Sequence, residues 1–229
     1  MIRKKSADVL VELVVLDGKH VLDIGCGDGS LTRMMTGQGA HVTGVETSPQ
    51  QLARAVAAER VADERFVEGC AQAMPAESAS VDVVVFSNSL HHVPVDQQPK
   101  ALAEAARVLV EGGFLYVSEP LPEGAFFQLT RLIDDETEVR GKALEALRDA
   151  ARWGLEQIGE TVHLHSFRHR DYATFRERMT AIDTERATVV TARDVELSEA
   201  FHRLGTPAET GGWSFDQPTR VNLFRKRPA

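Results

Sequence analysis

Three observations predict an α/β protein built on a doubly wound sheet. Strand-like and helix-like segments alternate through the first 120 residues on short connections, a glycine-rich turn joins the first strand to its helix, and residues 81–86 are apolar almost throughout. Such alternation implies right-handed crossovers within one sheet. The expectation is about seven strands, mostly parallel with the last antiparallel, and an added helical layer after the fifth strand.

The elements follow in order. Residues 7–16 carry Val9, Leu10, Leu13 and Val14 at near-helical spacing, and residues 20–24 form an apolar strand that stops at a glycine cluster. Residues 30–35 are predicted helical, ending near Gly37 and Gly39, and 41–46 are a second strand. Ser48 before Pro49 combines a capping hydroxyl with proline at the first helical position, so an alanine-rich helix runs to about residue 60. Residues 65–70 make a third, shorter strand and 81–86 the fourth. Over 97–110 a stripe of Ala101, Leu102, Ala105, Ala106 and Leu109 predicts a helix closed by Gly112-Gly113, and 114–118 is the fifth strand. Beyond Pro120 the rhythm changes. Residues 123–158 place Leu144, Leu147, Ala151, Leu155 and Ile158 three or four apart, predicting a long helical region. Residues 162–169 read as a strand, 171–182 and 194–204 as helices, and 220–224 as a last strand. No repeat or linker interrupts the chain. The expectation is one domain over 1–229, with a binding core at 1–120, a helical lid at 121–215 and a final strand within 216–229.

Bulk properties narrow the function. A length of 229 residues supports one well-cored domain. A formal net charge of −8 argues against a surface that grips nucleic acid by its phosphates and favours a small-molecule partner, although residues 168–178 are locally basic. No apolar stretch reaches the length of a membrane span, and Met1-Ile2-Arg3-Lys4-Lys5 does not lead into a signal-peptide core. Two cysteines, Cys26 and Cys70, do not make a disulfide framework, which points to a reducing, cytoplasmic setting.

The sharpest motif is Val21-Leu22-Asp23-Ile24-Gly25-Cys26-Gly27-Asp28-Gly29. Glycines at a strand-to-helix turn permit a tight bend and a close ligand approach, and the crevice of an open α/β sheet lies beyond the carboxyl ends of its strands. A dinucleotide fingerprint wants its third glycine where this chain has Ser30, one place after Gly29. Asp23 sets a carboxylate beside the ligand, awkward for a pyrophosphate but suited to an ammonium and a sulfonium. Glu46 ends the second strand about twenty residues later, where a carboxylate accepts from ribose hydroxyls; the alternative is a solvated strand end. Cys26 is either a reactive thiol at a helix start or a small residue tolerated in the loop.

Together with Gly69-Cys70-Ala71-Gln72-Ala73-Met74-Pro75, Ser87-Asn88-Ser89-Leu90-His91-His92-Val93 and Arg107-Val108-Leu109-Val110-Glu111-Gly112-Gly113, these residues resemble the class I, Rossmann-like methyltransferases of the ubiquinone/menaquinone-biosynthesis type (type 11), over roughly residues 15–120. The resemblance implies S-adenosyl-L-methionine as cofactor. Asp23, Gly25 and Gly27, with Cys26 in the same loop, would hold its amino-acid end and Glu46 its ribose. Thr47 or Gln51 would border the adenosine, Cys70 and Ala71 would lie along the adenine edge, and the Ser87 carbonyl would meet the methionine amino group. Family members often carry aspartate where this chain has Cys70, and a thiol is a poor acceptor.

Methyl transfer from a sulfonium draws much of its rate from alignment, and a base is needed only for a nucleophile that keeps its proton. His91 and His92, just past the fourth strand, are the candidate catalytic pair; the alternative is a structural pair that shapes the loop. His163, His165 and His169 share a face if 162–169 is a strand, as a polar edge, a pocket wall or a metal site, and no companion cysteine or carboxylate points to the metal. Glu119 is expected at the crevice, on an acceptor or capping backbone. The acidic run 134–138 suggests a solvated helix face, and Phe126, Phe127, Trp153, Trp213 and Phe215 suggest either a pocket roof or core. The leading reading is methylation of a small molecule. The competing readings are methylation of tRNA or protein, a non-catalytic cofactor-binding regulatory domain, and, disfavoured by the glycine spacing, a nicotinamide oxidoreductase. Oligomeric state is left open.

Overall fold

A computed structural model describes residues 1–182 and 184–228; Ala229, at the end of the segment assigned to the final strand, lies outside them. Among the described residues nine strands join in the order β1-β7-β9-β6-β5-β2-β3-β4, with β8 beside β9. They are β1 (Ile2–Arg3), β2 (His20–Ile24), β3 (His41–Glu46), β4 (Arg65–Glu68), β5 (Val81–Ser87), β6 (Leu109–Pro120), β7 (Leu155–His169), β8 (Thr206–Pro207) and β9 (Trp213–Lys226). The nine helices among the described residues are α1 (Ser6–Leu13), α2 (Ser30–Gly37), α3 (Pro49–Ala57), α4 (Gln98–Val108), α5 (Ala125–Thr130), α6 (Thr137–Arg148), α7 (Tyr172–Thr180), α8 (Thr184–Ala192) and α9 (Asp194–Leu204).

The chain divides into two compact units. The larger comprises residues 6–119, 139–161 and 220 onward. Within it β2 pairs in parallel with both β3 and β5, so the chain runs outward from β2 in one direction and then returns to continue in the other. That reversal is the topological switch point at which open sheets bind ligands. Strand alternation sorts side chains onto two faces. Leu22, Ile24, Val84 and Phe86 join a cluster with Leu102 and Ala105 of α4 and Ala143 and Leu147 of α6. Val21, Val83 and Val85 join the opposite one with Val9 and Leu10 of α1 and Met35 of α2. This double burial explains why residues 81–86 are apolar at every position but Asp82. β9 is antiparallel to β6: Lys226 at its end donates to the Leu109 carbonyl at the start of β6, 2.7 Å.

The smaller unit comprises residues 1–5, 120–138 and 162–219. Leu129 of α5, Phe175 of α7, Val190 of α8, Phe201 of α9 and Phe215 of β9 form its core. Full burial of one such phenylalanine contributes roughly 1.5–3 kcal/mol. Asp171 caps α7 by accepting from the Thr174 N–H at 2.8 Å.

Several expectations are corrected. Residues 123–158 are not one helical region: Gly154, at φ +74°, ends a short turn, and the chain enters β7 at Leu155. The buried stripe of α6 is Arg140, Ala143 and Leu147, so Leu155 and Ile158, which continued the helical spacing, are strand residues. Helix α4 stops at Val108 rather than at Gly112-Gly113, because the β-branched and apolar run that follows pairs with β5. β9 begins at Trp213 instead of residue 220, α8 has no counterpart in the sequence reading, and the two-residue strands β1 and β8 raise the expected seven strands to nine.

Candidate cofactor-binding site

The loop between β2 and α2 rises at the switch point. Gly25 (φ +72°) and Gly27 (φ +58°) both occupy left-handed backbone that favours glycine. Their reasons for lacking a side chain differ. A Cβ on Gly25 would lie 2.6 Å from Ser89 Cβ, whereas a Cβ on Gly27 would meet nothing within 4 Å. Gly25 is therefore packed against the chain, and Gly27 leaves open space where a ligand can approach its backbone.

Glu46, at the end of β3, is 8% exposed. Its Oε2 accepts the Gly27 N–H at 2.8 Å, and its Oε1 accepts the Thr47 and Ser48 N–H groups at 2.9 and 2.8 Å. The Gly25 and Cys26 N–H groups both bond the Val45 carbonyl. Ser48 caps α3 by accepting from Gln51 N–H at 3.4 Å, as its pairing with Pro49 predicts.

A cavity of 470 Å³ opens beside this loop, a size suited to a nucleoside-bearing ligand. Gly25, Gly27, Glu46 and Thr47 line it together with Gln51, Cys70, Ala71 and His92. Open space over Gly27 and a buried carboxylate beside it match a ribose-bearing cationic cofactor.

Asp23, Cys26, Ser87 and His91 do not line the cavity. Asp23, 1% exposed, points behind the loop and accepts from Thr32 Oγ1 at 2.7 Å. Burial pushes its carboxyl up to about 6; the Thr32 bond opposes this and the Glu46 charge adds to it. Cys26 is buried, and burial first, then the Asp23 and Glu46 charges, push its thiol up to about 12. It stays protonated, which removes the reactive-thiol reading and leaves the small packing residue. Ser87 is half-buried at the end of β5, in register with Ser118 of β6.

The histidine pair is split. His91 is buried, its Nδ1 bonded to Glu119 Oε2, while Glu119 Oε1 accepts the Leu90 N–H at 2.9 Å. Glu119, itself 1% exposed, therefore anchors the turn at residues 90–92 rather than facing the crevice. His92 is exposed and lines the cavity, its ring 4.1 Å from that of His91.

Cavity residues missed in the sequence include Asn88, Ser89 and Gln72. Asn88 sits at φ +54°, a conformation asparagine tolerates better than most residues, which is the signal its place after a strand carried. Ser89 Oγ donates to the Ile24 carbonyl at 2.6 Å, a pairing across 65 positions that no local pattern encodes.

In the smaller unit, His163, His165 and His169 do share one face of β7, but their ligand atoms do not gather into a cluster. His169, 3% exposed, is ringed by Phe126, Phe175, Phe201 and Phe215, and neither ring nitrogen has a hydrogen-bond partner among the described residues. Burial lowers it to about 4, with Arg178 adding to the effect. The acidic run is more than a solvated face: Arg186 of α8 pairs with Asp134 at 2.8 Å and Glu136 at 3.0 Å. Of the aromatics, Phe127 and Phe215 are core, while Trp153 is 38% exposed.

Residues 22–117 match the sequence profile of the family described as a methyltransferase domain. A ubiquinone biosynthesis O-methyltransferase of Paraburkholderia phytofirmans is 44% identical over 107 residues, 45% of either chain. A 27-O-demethylrifamycin SV methyltransferase of Amycolatopsis mediterranei is 40% identical over 116 residues, 47% of this chain and 42% of that one. The chain thus spans about half the length of the curated relatives it matches. The YcgJ protein of Bacillus subtilis aligns with a TM-score of 0.66 at 21% identity, covering 98% of this chain and 99% of that one. The [4+2]-cyclase SpnF aligns with a TM-score of 0.65 at 22% identity, covering 97% and 81%. At such identities the likeness establishes the fold alone, and the second neighbour carries a different reaction on it. The family profile coincides with the strands and loops that build the cavity, and residues 22–117 of this chain therefore belong to the class I methyltransferase-domain family, whose methyl donor is S-adenosylmethionine.

Proposed function

We propose that this protein transfers a methyl group from S-adenosylmethionine to a hydroxyl of a small-molecule acceptor, the whole chain acting as one catalytic domain with residues 121–215 selecting the acceptor. The observation that carries this reading is the cavity floored by Gly27 and Glu46 with His92 on its wall. The cofactor, when bound, supplies a methyl group already activated by its sulfonium, which leaves the protein to align and desolvate.

Glu46 keeps acceptor capacity beyond its three backbone N–H partners, enough for a ribose hydroxyl. Thr47 and Gln51 would border the nucleoside, and Gly25 and Gly27 would admit the amino-acid end. Asp23 acts from behind the loop, where its charge favours a cationic ligand. His92 takes the acceptor's hydroxyl proton onto a ring nitrogen, and His91 holds the turn through Glu119.

Oxygen as the acceptor atom is supported by the names of two relatives, an O-methyltransferase of ubiquinone biosynthesis and a methyltransferase of 27-O-demethylrifamycin SV. A small molecule rather than nucleic acid is supported by the net charge of −8 and by acidic partners within the basic stretch, Arg170 with Asp171 and Arg176 with Asp194. No helix among the described residues is long and apolar enough to cross a membrane. With two free thiols, a cytoplasmic setting fits.

Calorimetric titration with S-adenosylmethionine, S-adenosylhomocysteine and NADH, repeated on Glu46→Ala, tests the reading. Binding of the first two, weakened by the substitution, with no response to NADH is the expected result. Binding of NADH alone overturns it. A labelled-methyl screen over phenols and hydroxylated macrocycles then identifies the acceptor, and cofactor binding without transfer to any of them favours the regulatory reading.

A further inference from the structure

We propose that His20 and His41 form a surface site for a divalent transition-metal ion of the zinc kind, with Asp63 orienting one of the two ligands. The site lies at the opposite end of β2 and β3 from the cofactor cavity and is independent of the methyl-transfer reading.

Two neighbouring strands bring the ligands together. β2 and β3 are parallel and in register at their first residues, so His20 and His41 are direct partners on one face of the sheet. The His41 N–H bonds the Lys19 carbonyl at 2.8 Å and the His20 N–H bonds Asp82 Oδ2 at 3.0 Å, which fixes both backbones. Both side chains are exposed, and their rings stack with centroids 5.2 Å apart and planes 28° from parallel. Zinc sits about 2.0–2.1 Å from an imidazole nitrogen, and the ring centre lies about 1.2 Å further on. Two imidazoles on one tetrahedral ion therefore have centroids about 5 Å apart. That spacing is already present between His20 and His41. Rotation about χ2, a broad and soft torsion in histidine, leaves each centroid in place and turns a nitrogen of each ring toward one ion.

Asp63 supplies the layer behind the ligands. Its Oδ2 lies 2.8 Å from His41 Nδ1. A carboxylate there keeps the proton on Nδ1 and leaves the Nε2 lone pair for a metal, as behind most ligating histidines. Being exposed, the carboxylate can follow the turn of the His41 ring. The neighbouring cation is neutralised, since Lys19 Nζ is held by Asp82 Oδ1 at 3.0 Å. Two imidazoles completed by water suit Zn2+, Ni2+ or Cu2+ rather than Mg2+, which prefers oxygen donors. The cavity opens beyond Ile24, roughly 13 Å further along β2, so an ion held by His20 and His41 does not reach it.

The test is calorimetry with ZnCl2 and MgCl2 on untagged protein, as wild type, His20→Ala, His41→Ala, their double variant, Asp63→Asn and His92→Ala. The substituted side chains are exposed, so each variant is expected to melt within a few degrees of the wild type in the absence of metal. The wild type is expected to bind a single equivalent of Zn2+ at micromolar concentration, to ignore Mg2+ and to melt higher with zinc present. Either histidine substitution is expected to abolish this, Asp63→Asn to weaken it about ten-fold, and His92→Ala to leave it unchanged. The inference is overturned if the wild type does not bind zinc, if the double variant binds it as the wild type does, or if His92→Ala removes it. Competition between Zn2+ and S-adenosylhomocysteine would put the ion in the cofactor cavity and overturn it equally, with the methyl-transfer reading intact.

Discussion

The Glu46 carboxylate accepts the Gly27 N–H at 2.8 Å, and through that bond the end of β3 holds the half-buried loop glycine whose side-chain position opens onto empty space. Glu46 therefore shapes the cavity floor before any ligand arrives. Glu46→Ala removes the acceptor for three backbone N–H groups, and is expected to weaken S-adenosylhomocysteine by at least about ten-fold while lowering the thermal midpoint. Glu46→Gln, which keeps one acceptor oxygen, is expected to fall between. Equal affinity in all three proteins would separate loop geometry from cofactor binding.

Asp23 links stability to pH in one direction. Its carboxyl lies at about 6 in the folded chain against 3.8 for the free group, so the folded state holds the proton longer than the unfolded one. The stabilisation this provides is complete below pH 3.8 and is lost as pH rises through 6, an effect of roughly 3 kcal/mol at most. Asp23→Asn, which retains an acceptor for Thr32 Oγ1, is expected to flatten that part of the stability profile and to melt higher at pH 7.5. Its affinity for the cationic S-adenosylmethionine is expected to drop more than its affinity for neutral-sulfur S-adenosylhomocysteine. Denaturant unfolding from pH 4 to 8 and paired titrations check the two halves separately.

His169 acts with the opposite sign. The imidazole sits at about 4 in its ring of phenylalanines against 6.5 when free, so its neutral form is the folded one. Stability is present above pH 6.5 and is lost as pH falls toward 4, by about 2 kcal/mol after allowance for solvent screening. His169→Leu removes two unpartnered ring nitrogens from an apolar surround and is expected to extend the folded range to lower pH. Acid titration of near-ultraviolet circular dichroism, which reports the packed aromatic side chains, checks this; an unshifted acid transition counts against it.

Glu119 is predicted to be structural. Glu119→Ala leaves the Leu90 N–H without its acceptor and takes the carboxylate from His91, at a cost of roughly 3–5 kcal/mol. His92→Ala, on an exposed side chain, is expected to shift stability by less than about 0.5 kcal/mol while lowering transfer to a hydroxyl acceptor. Chemical denaturation of both variants distinguishes an anchored turn from a catalytic pair.

The glycine loop, Glu46 and the Ser48-Pro49 helix start were legible in the sequence because each is a local backbone requirement: positive φ at Gly25 and Gly27, a carboxylate at a strand end, a capping hydroxyl before proline. The parallel core was equally legible, since strands covered on both faces read as nearly continuous apolar runs, as residues 81–86 do. Local sequence thus suffices for the class of fold, the cavity floor and the succession of the first five core strands along the chain. Only the folded chain settles which side chains face the cavity: Asp23 and His91 are turned away by their buried partners, Thr32 and Glu119, while Gly25 and His92 line it. It also decided that the chain turns extended at Leu155 and Trp213. Strand pairing there is secured by contacts such as Ser166 Oγ to Asp216 at 2.6 Å, fifty positions apart, and helical spacing within one window carries no information about a partner so distant.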